Sequence, residues 1–360
     1  MPHNALSEAM AGRRQRVAER VAQAGAPALL VTDLKNIHYL TGFSGSNAVL
    51  LLKADGSSVL GTDGRYDTQI RLETGEPEDV EIVVASDLFT VISDKAGGRG
   101  LWIEPTMDVA QARKLGDPEV LSGAVEDERL VKDDYEVKAL LAAGELADNV
   151  WQEFLKGGGI REGISERDAA ADLEFRLRKA GADALSFDTI LASGVNAAKP
   201  HAGVSSDVIV PGLVTVDFGI YLDGYASDQT RTVCVGEPDD LSRELYDIVL
   251  RSQRAGEAMV KAGVKLKDVD AASRKVIEDA GYGDYFVHST GHGVGLDVHE
   301  APRAAKQVPD DHVLQSGMTL TVEPGIYLPG KTGLRIENTY IMEEDGARSC
   351  NASSTELHVV

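Results

Sequence analysis

The chain has 360 residues, a formal net charge of −22 and 43% hydrophobic residues, which suits two folded domains with ordinary cores. The acidic balance excludes the clustered Lys and Arg of a nucleic-acid partner. Two cysteines, Cys234 and Cys350, exclude a disulfide framework and a cysteine zinc cluster, and read as buried, inert thiols.

The first residues, MPHNALSEAMAGRRQRVAERV, hold no apolar signal-type core, and no later run is long enough to span a bilayer. The expectation is a cytoplasmic protein with no membrane contact. Ala5 to Ala24 carries Leu6, Met10, Val17 and Val21 at helical spacing and stops at Gly25. Short apolar runs follow at Ala28 to Thr32, Ala48 to Lys53, Ser58 to Thr62, Val80 to Ala85 and Leu101 to Glu104. Helical stretches at Arg65 to Glu73 and Val109 to Leu115 separate them, so the first part reads as an α/β unit.

A charged segment near Glu126 leads into a long helix from Asp133 to Lys156, started by Asp133 or Asp134 and ended by three glycines. The domain boundary is placed here, giving 1–127 and 128–360. Further helices are expected at Ser165 to Ala180, Asp240 to Ala262 and Asp268 to Ala280, with strands at Val208 to Val210, Thr319 to Glu323 and Leu334 to Met342. The second half therefore reads as an antiparallel sheet covered by helices.

Its centre is VTVDFGIYLDGYASDQTRTVCV, Val214 to Val235. Alternation turns Asp217 away from the apolar face of Val214, Val216, Phe218 and Ile220. A two-residue Asp223-Gly224 turn would place Asp228 on the same face, opposite or diagonal. Two adjacent carboxylates repel unless a cation lies between them. Alone they would read as a solvated sheet face, but more ligand-type residues follow. His288, His292 and His299 crowd a glycine-rich stretch, whose glycines let backbone approach a centre closely. Glu323 ends an alternating strand before Pro324, and Arg335, Glu337 and Thr339 share a face if the strand runs on.

Taken in order, VDFG, SDQTRT, HSTGHGVGLDVHE, TVEPG and RIEN resemble the pita-bread metallopeptidase family, which includes Xaa-Pro aminopeptidases, Xaa-Pro dipeptidases and methionine aminopeptidases. YLTGFSG (39–45) and TDGRY (62–66) are similar to the creatinase/prolidase type of N-terminal domain, which favours the proline-directed branch. The fold implied is an α/β N-terminal domain plus an α+β pita-bread catalytic domain, a curved antiparallel sheet covered by helices. The resemblance implies that Asp217, Asp228, His292, Glu323 and Glu337 hold two divalent metal ions, with Asp228 and Glu337 bridging. Such an oxygen-rich set suits Mn²⁺, with Co²⁺, Zn²⁺ or Fe²⁺ as alternatives. Glu323 would shuttle protons, and His288 and His299 would contact substrate and stabilise the transition state. His201 would line the substrate pocket and Arg335 would orient Glu337. The implied activity is metal-assisted hydrolysis of peptides with proline in second position by a homodimer. Aminopeptidase P chemistry is the first choice and Xaa-Pro dipeptidase the alternative. A metal-free creatinase-like hydrolase or a non-catalytic peptide-binding module is remote, because all five ligand positions are filled.

Overall fold

The computed structural model describes residues 3–96 and 100–360. It divides into two compact units, Met1–Arg129 and Leu130–Val360.

In the first unit, α1 (His3–Gln23) buries Met10, Val17 and Val21. The side chain of Leu6, expected on the same face, lies outside the described residues. The chain continues through β1 (Ala28–Val31), α2 (Leu34–Thr41), β2 (Ala48–Lys53), β3 (Ser58–Thr62), α3 (Asp67–Thr74), β4 (Val80–Val84), α4 (Leu88–Asp94), β5 (Leu101–Ile103), α5 (Val109–Lys114) and α6 (Glu126–Arg129). The strands form one mixed sheet in the order β4-β3-β2-β1-β5. Every apolar run expected as a strand is one. α2 and α4 went unread because a helix of two turns shows no extended apolar stripe, although Asp33 and Asp87 cap them through side-chain oxygens. Arg13 and Arg14 are buried and donate to the carbonyls of Tyr39 and Leu40, which serves the free C=O groups at the end of α2.

The second unit opens with α7 (Asp134–Lys156), where Asp133 is the N-cap in a capping box with Glu136. α8 (Glu166–Ala180) is capped by Ser165. Then come β6 (Ala184–Leu185), β7 (Ile190–Ser193), β8 (Gly212–Phe218), β9 (Ile220–Leu222), β10 (Tyr225–Ala226) and β11 (Gln229–Val235). α9 (Asp240–Glu257) and α10 (Leu266–Asp279) precede β12 (Gly291–Gly293), β13 (Glu300–Ala304), β14 (Thr319–Val322), β15 (Gly325–Leu328), β16 (Thr332–Arg335), β17 (Asn338–Glu343), β18 (Gly346–Ser349) and β19 (His358–Val359).

Two expectations fail here. Val208 makes only an isolated bridge to Ser165, and Val208 and Val210 are exposed while Ile209 between them points into the core, so the segment anchors by one residue without forming a strand. The strand expected from Leu334 to Met342 is interrupted at Ile336-Glu337, which separates β16 from β17.

The central sheet runs β19-β11-β8-β7. Val214, Val216 and Phe218 of β8 pack with Val233 and Val235 onto Trp151 and Phe154 of α7 and Leu173 and Leu177 of α8. Each such side chain contributes about 1.5–3 kcal/mol by leaving water. α9 and α10 cover a second core around Leu213, Cys234, Ile326 and Leu334. Both cysteines are buried, as expected.

Candidate metal centre and active site

β8 and β11 pair antiparallel with Thr230 opposite Asp217, so Asp228 is diagonal to Asp217 on one face. The register follows from the two-residue turn. Asp223 and Gly224 have φ of 51° and 81°, and the residues flanking them, Leu222 and Tyr225, are paired. Just inside it, a Cβ on Gly219 would lie 2.0 Å from the Ser227 carbonyl oxygen, so only glycine lets the two strands approach beside the aspartates.

The remaining groups arrive from three other strand ends. His292 is the middle residue of β12, and Glu323 follows β14 with its amide donating to the Thr290 carbonyl. Glu337 sits in the break between β16 and β17, where Thr230 Oγ1 donates to its Oε2 at 2.7 Å. Ligand-type atoms of Asp217, Asp228 and Glu337 lie within 4.8 Å of one another, as do those of His292, Glu323 and Glu337, and those of Asp228, His292 and His299. Asp228, His292 and Glu337 each belong to two of these groups.

The electrostatics are those of an anionic cluster short of cations. Arg335 donates to Asp217 Oδ2 and stands 4.0 Å from Glu323. Burial, reinforced by Glu337, Asp217 and Glu323, pushes Asp228 well above the ordinary carboxylate range. Glu323 is raised by burial and then by Glu337. Glu337 is pushed up to about 8 by burial and then by Asp217. His292, with Nε2 3.3 Å from Glu323 and 3.6 Å from Asp228, is pushed down to about 4 by burial. A neutral imidazole facing the buried Asp228 and the half-buried Glu323, together with a buried Asp217 Oδ1 that has no partner, is a donor set that fits hard divalent cations.

Around this cluster, His288 is pushed to about 3, by burial and then by Arg335. Its Nε2 is 3.0 Å from the Tyr327 hydroxyl, which accepts from Arg335 Nη1 at 2.6 Å. His299 stacks edge-on against His292 with ring centroids 4.4 Å apart, and its basicity is lowered by burial. His201, exposed, joins the wall of the same cavity, which encloses about 910 Å³. All nine residues singled out in the sequence line it.

Two details differ from the sequence reading. Arg335, expected to orient Glu337, turns to Asp217 and reaches Glu337 only through Thr230, whose hydroxyl also accepts from Arg335 Nε at 3.0 Å. The expected role came from the family resemblance, and the interruption at Ile336-Glu337 removes the shared strand face on which the two residues would meet. The glycines of the histidine stretch also serve packing, because a Cβ on Gly291 would meet the Thr321 carbonyl oxygen at 1.8 Å. Sequence reasoning missed Tyr327, because Pro324 was taken as the end of the strand and β15 starts directly after it. It missed Arg303, directly opposite His292 in the β12–β13 pair, with Nε 3.3 Å from Ser289 Oγ and a place on the cavity wall. It also missed the Asp270–Arg274 pair of α10, which binds Thr290 and the carbonyls of Phe286 and His288 from behind. An i,i+4 Asp–Arg spacing was the available signal, but it is common on exposed helix faces.

Comparison with known proteins gives the same architecture. The structure of an Xaa-Pro dipeptidase from Bacillus anthracis is 38% identical, with 97% of this chain and 100% of that chain covered and a TM-score of 0.90. An X-Pro aminopeptidase from Thermotoga maritima is 33% identical, with 96% and 99% covered and a TM-score of 0.86. The Xaa-Pro dipeptidase of Pyrococcus horikoshii is 34% identical over 92% of this chain and 94% of its own length. Residues 13–126 match the creatinase/prolidase N-terminal domain and residues 138–344 match metallopeptidase family M24. The fold is thus the α/β N-terminal plus pita-bread arrangement, and the chain belongs to metallopeptidase family M24, an enzyme family whose members use divalent metal ions.

Proposed function

We propose that the protein is an Xaa-Pro dipeptidase. The observation that carries the reading is the convergence of Asp217, Asp228, His292, Glu323 and Glu337 in one cavity, with Arg303 on its wall. The names of the similar proteins weigh toward dipeptides over the aminopeptidase P chemistry that was the first expectation. Arg303 adds a chemical reason. A guanidinium in the wall suits the free carboxylate of a dipeptide's proline, and a longer peptide has no charge to offer at that point.

The five residues would hold two divalent ions, Mn²⁺ by the hardness of the donors, with Asp228 and Glu337 shared between them. Ions bound there supply Lewis acidity and make water nucleophilic near neutral pH. Glu323 accepts the proton of the attacking water and delivers it to the departing proline nitrogen, which must leave as a neutral amine. His299 donates to the oxygen of the tetrahedral carbon, while His288, held by Tyr327 and the Ser289 carbonyl, and His201 line the substrate side of the cavity. Arg335 fixes Asp217 through a charged hydrogen bond. The reading includes a catalytic domain of residues 128–360 behind an N-terminal domain of 1–127, a homodimeric assembly and a cytoplasmic location. Among the described residues, no helix is long and apolar enough to cross a membrane.

The test is hydrolysis of an Xaa-Pro dipeptide beside a matched Xaa-Pro-Xaa peptide, before and after chelation and after Mn²⁺ is returned. The expected result is metal-dependent cleavage of the dipeptide with little of the longer peptide. Preferential cleavage of the tripeptide restores the aminopeptidase reading, and full activity after exhaustive chelation overturns the metal mechanism.

A further inference from the structure

The last residues of the chain, beyond the M24 match that ends at residue 344, form a strap behind the ligand strands. Cys350 donates its amide to the Thr339 carbonyl, and Thr339 in turn donates its amide to Asn351 Oδ1 at 2.8 Å. Asn351 Nδ2 donates to Gln229 Oε1 at 2.5 Å. One buried side-chain amide therefore ties β17 at the second residue after Glu337 to β11 at the residue next to Asp228. The same two strands are joined again nearby, since Thr339 Oγ1 donates to the Asp228 carbonyl and Glu337 N to the Thr230 carbonyl. Arg231 adds a third tie, donating at once to the carbonyls of Glu337 and Ser353 and to Asn338 Oδ1. The strap is itself pinned from outside. Asp148 of α7 accepts from the Ala352 amide, and a Cβ on Gly144 would lie 2.1 Å from the Cys350 carbonyl oxygen.

We infer that Asn351 is a positioning residue of the metal centre, setting the separation of Asp228 and Glu337 from behind. The inference rests on the proposed reading of those two carboxylates as shared metal ligands. The physical reason is that Asp228 and Glu337 repel in the metal-free protein and come from different strand ends. Their spacing is kept by what the backbones behind them are bonded to. Gln229 Nε2 finds no partner among the described residues, so its amide is oriented by Asn351. Partners of this kind typically change metal affinity about 10- to 100-fold when removed.

The test is titration of chelated, full-length protein with Mn²⁺, read by calorimetry and by the spectrum of the spin-coupled pair, on wild type, Asn351→Ala, Gln229→Met and the double variant. Gln229→Met cuts the same bond while leaving the Asn351–Thr339 bond, which keeps the test alive if Asn351→Ala does not fold. The expected result is two-ion binding by wild type, a second ion about 10- to 100-fold weaker in each single variant, and a double variant no weaker than the worse single. The rise in melting temperature on adding Mn²⁺ should shrink in step. A strap that only stabilises the fold would lower the metal-free and loaded melting temperatures together, with the rise and both affinities unchanged, and would overturn the inference. Wild type that fails to bind two ions would overturn the inference and the metal reading together. Two-ion wild type with unchanged variants would overturn the inference alone.

Discussion

Buried acidic side chains are satisfied in different ways, and Glu104 of the N-terminal unit and the carboxylate cluster of the second unit are the contrast. In the N-terminal unit, Glu104 accepts from the amides of Thr32 and Asp33 at 2.7 and 3.0 Å and from Asn36 Nδ2 at 2.6 Å. Asn36 also donates to Glu126 and accepts from Arg129. In the second unit, Glu337 has one hydroxyl donor and Asp217 one guanidinium. Asp228 has the His292 ring at 3.6 Å and two further carboxylates, Asp217 and Glu337, beside it. Burial alone therefore does not mark a site. A buried carboxylate supplied with fixed N–H donors is a structural joint, because its lone pairs are already used. Carboxylates gathered with few donors retain unused lone pairs and mutual repulsion, which only added positive charge relieves.

Asp228→Asn should break this comparison most sharply, because the two roles predict opposite signs. Replacing a repelled carboxylate by an amide should raise the melting temperature of chelated protein. It should also reduce peptidase activity about 10³-fold or more, as expected for losing several kcal/mol of metal-derived stabilisation. A chelated variant that melts below wild type would mean that Asp228 is a joint of the Glu104 kind.

Arg303→Ala sharpens the comparison from the substrate side, since Arg303 is a cation on the wall of the anionic cavity. Removing one charged hydrogen bond to a dipeptide carboxylate should raise KM about 10- to 100-fold, from about 1.5–3 kcal/mol, with kcat changed far less. Steady-state kinetics on a dipeptide and on its C-terminal amide check this. Equal losses on both would remove carboxylate recognition from the account.

The sequence carried these two regions unequally, for physical reasons. The site was legible because VDFG, SDQTRT, HSTGHGVGLDVHE, TVEPG and RIEN, each weak alone, follow one another in the family's order. The hairpin register could even be counted. What could not be read were contacts that depend on where alternation stops. Arg335 was assigned to Glu337 by the family resemblance, and nothing in the sequence marks the break at Ile336-Glu337 beyond which it turns to Asp217; Tyr327 was passed over because β15 begins directly after a residue that should end a strand. Glu104, at the end of an apolar run, shows only a polar stop, because its donors are main-chain amides and Asn36, far away in sequence. The Asn351 strap has no apolar period at all.

Glu104 gives the smallest effect and the cleanest sign. Burial raises its carboxyl to about 7, with the two amides, Asn36 and the neighbouring Glu126 modifying that shift. A carboxyl whose folded value lies above its unfolded value of 4.5 binds its proton more tightly in the folded state. The associated stability is complete below pH 4.5 and is lost as pH rises through about 7. Titration of this group alone should therefore make the N-terminal unit less stable as pH climbs from about 4.5 to 7. Glu104→Gln removes that slope, because an amide does not titrate. It also presents an N–H₂ to at least one of three donors, leaving a buried group unpaired at a cost of about 1–3 kcal/mol. The comparison of chemical denaturation at pH 5 and pH 8 should show a larger deficit for the variant at pH 5, where the wild-type carboxyl is protonated. Dipeptide hydrolysis under native conditions should stay as it was. A variant as stable as wild type at both pH values would mean that the three donors do not hold Glu104. The distinction between a satisfied joint and a site short of cations would then lose its structural half.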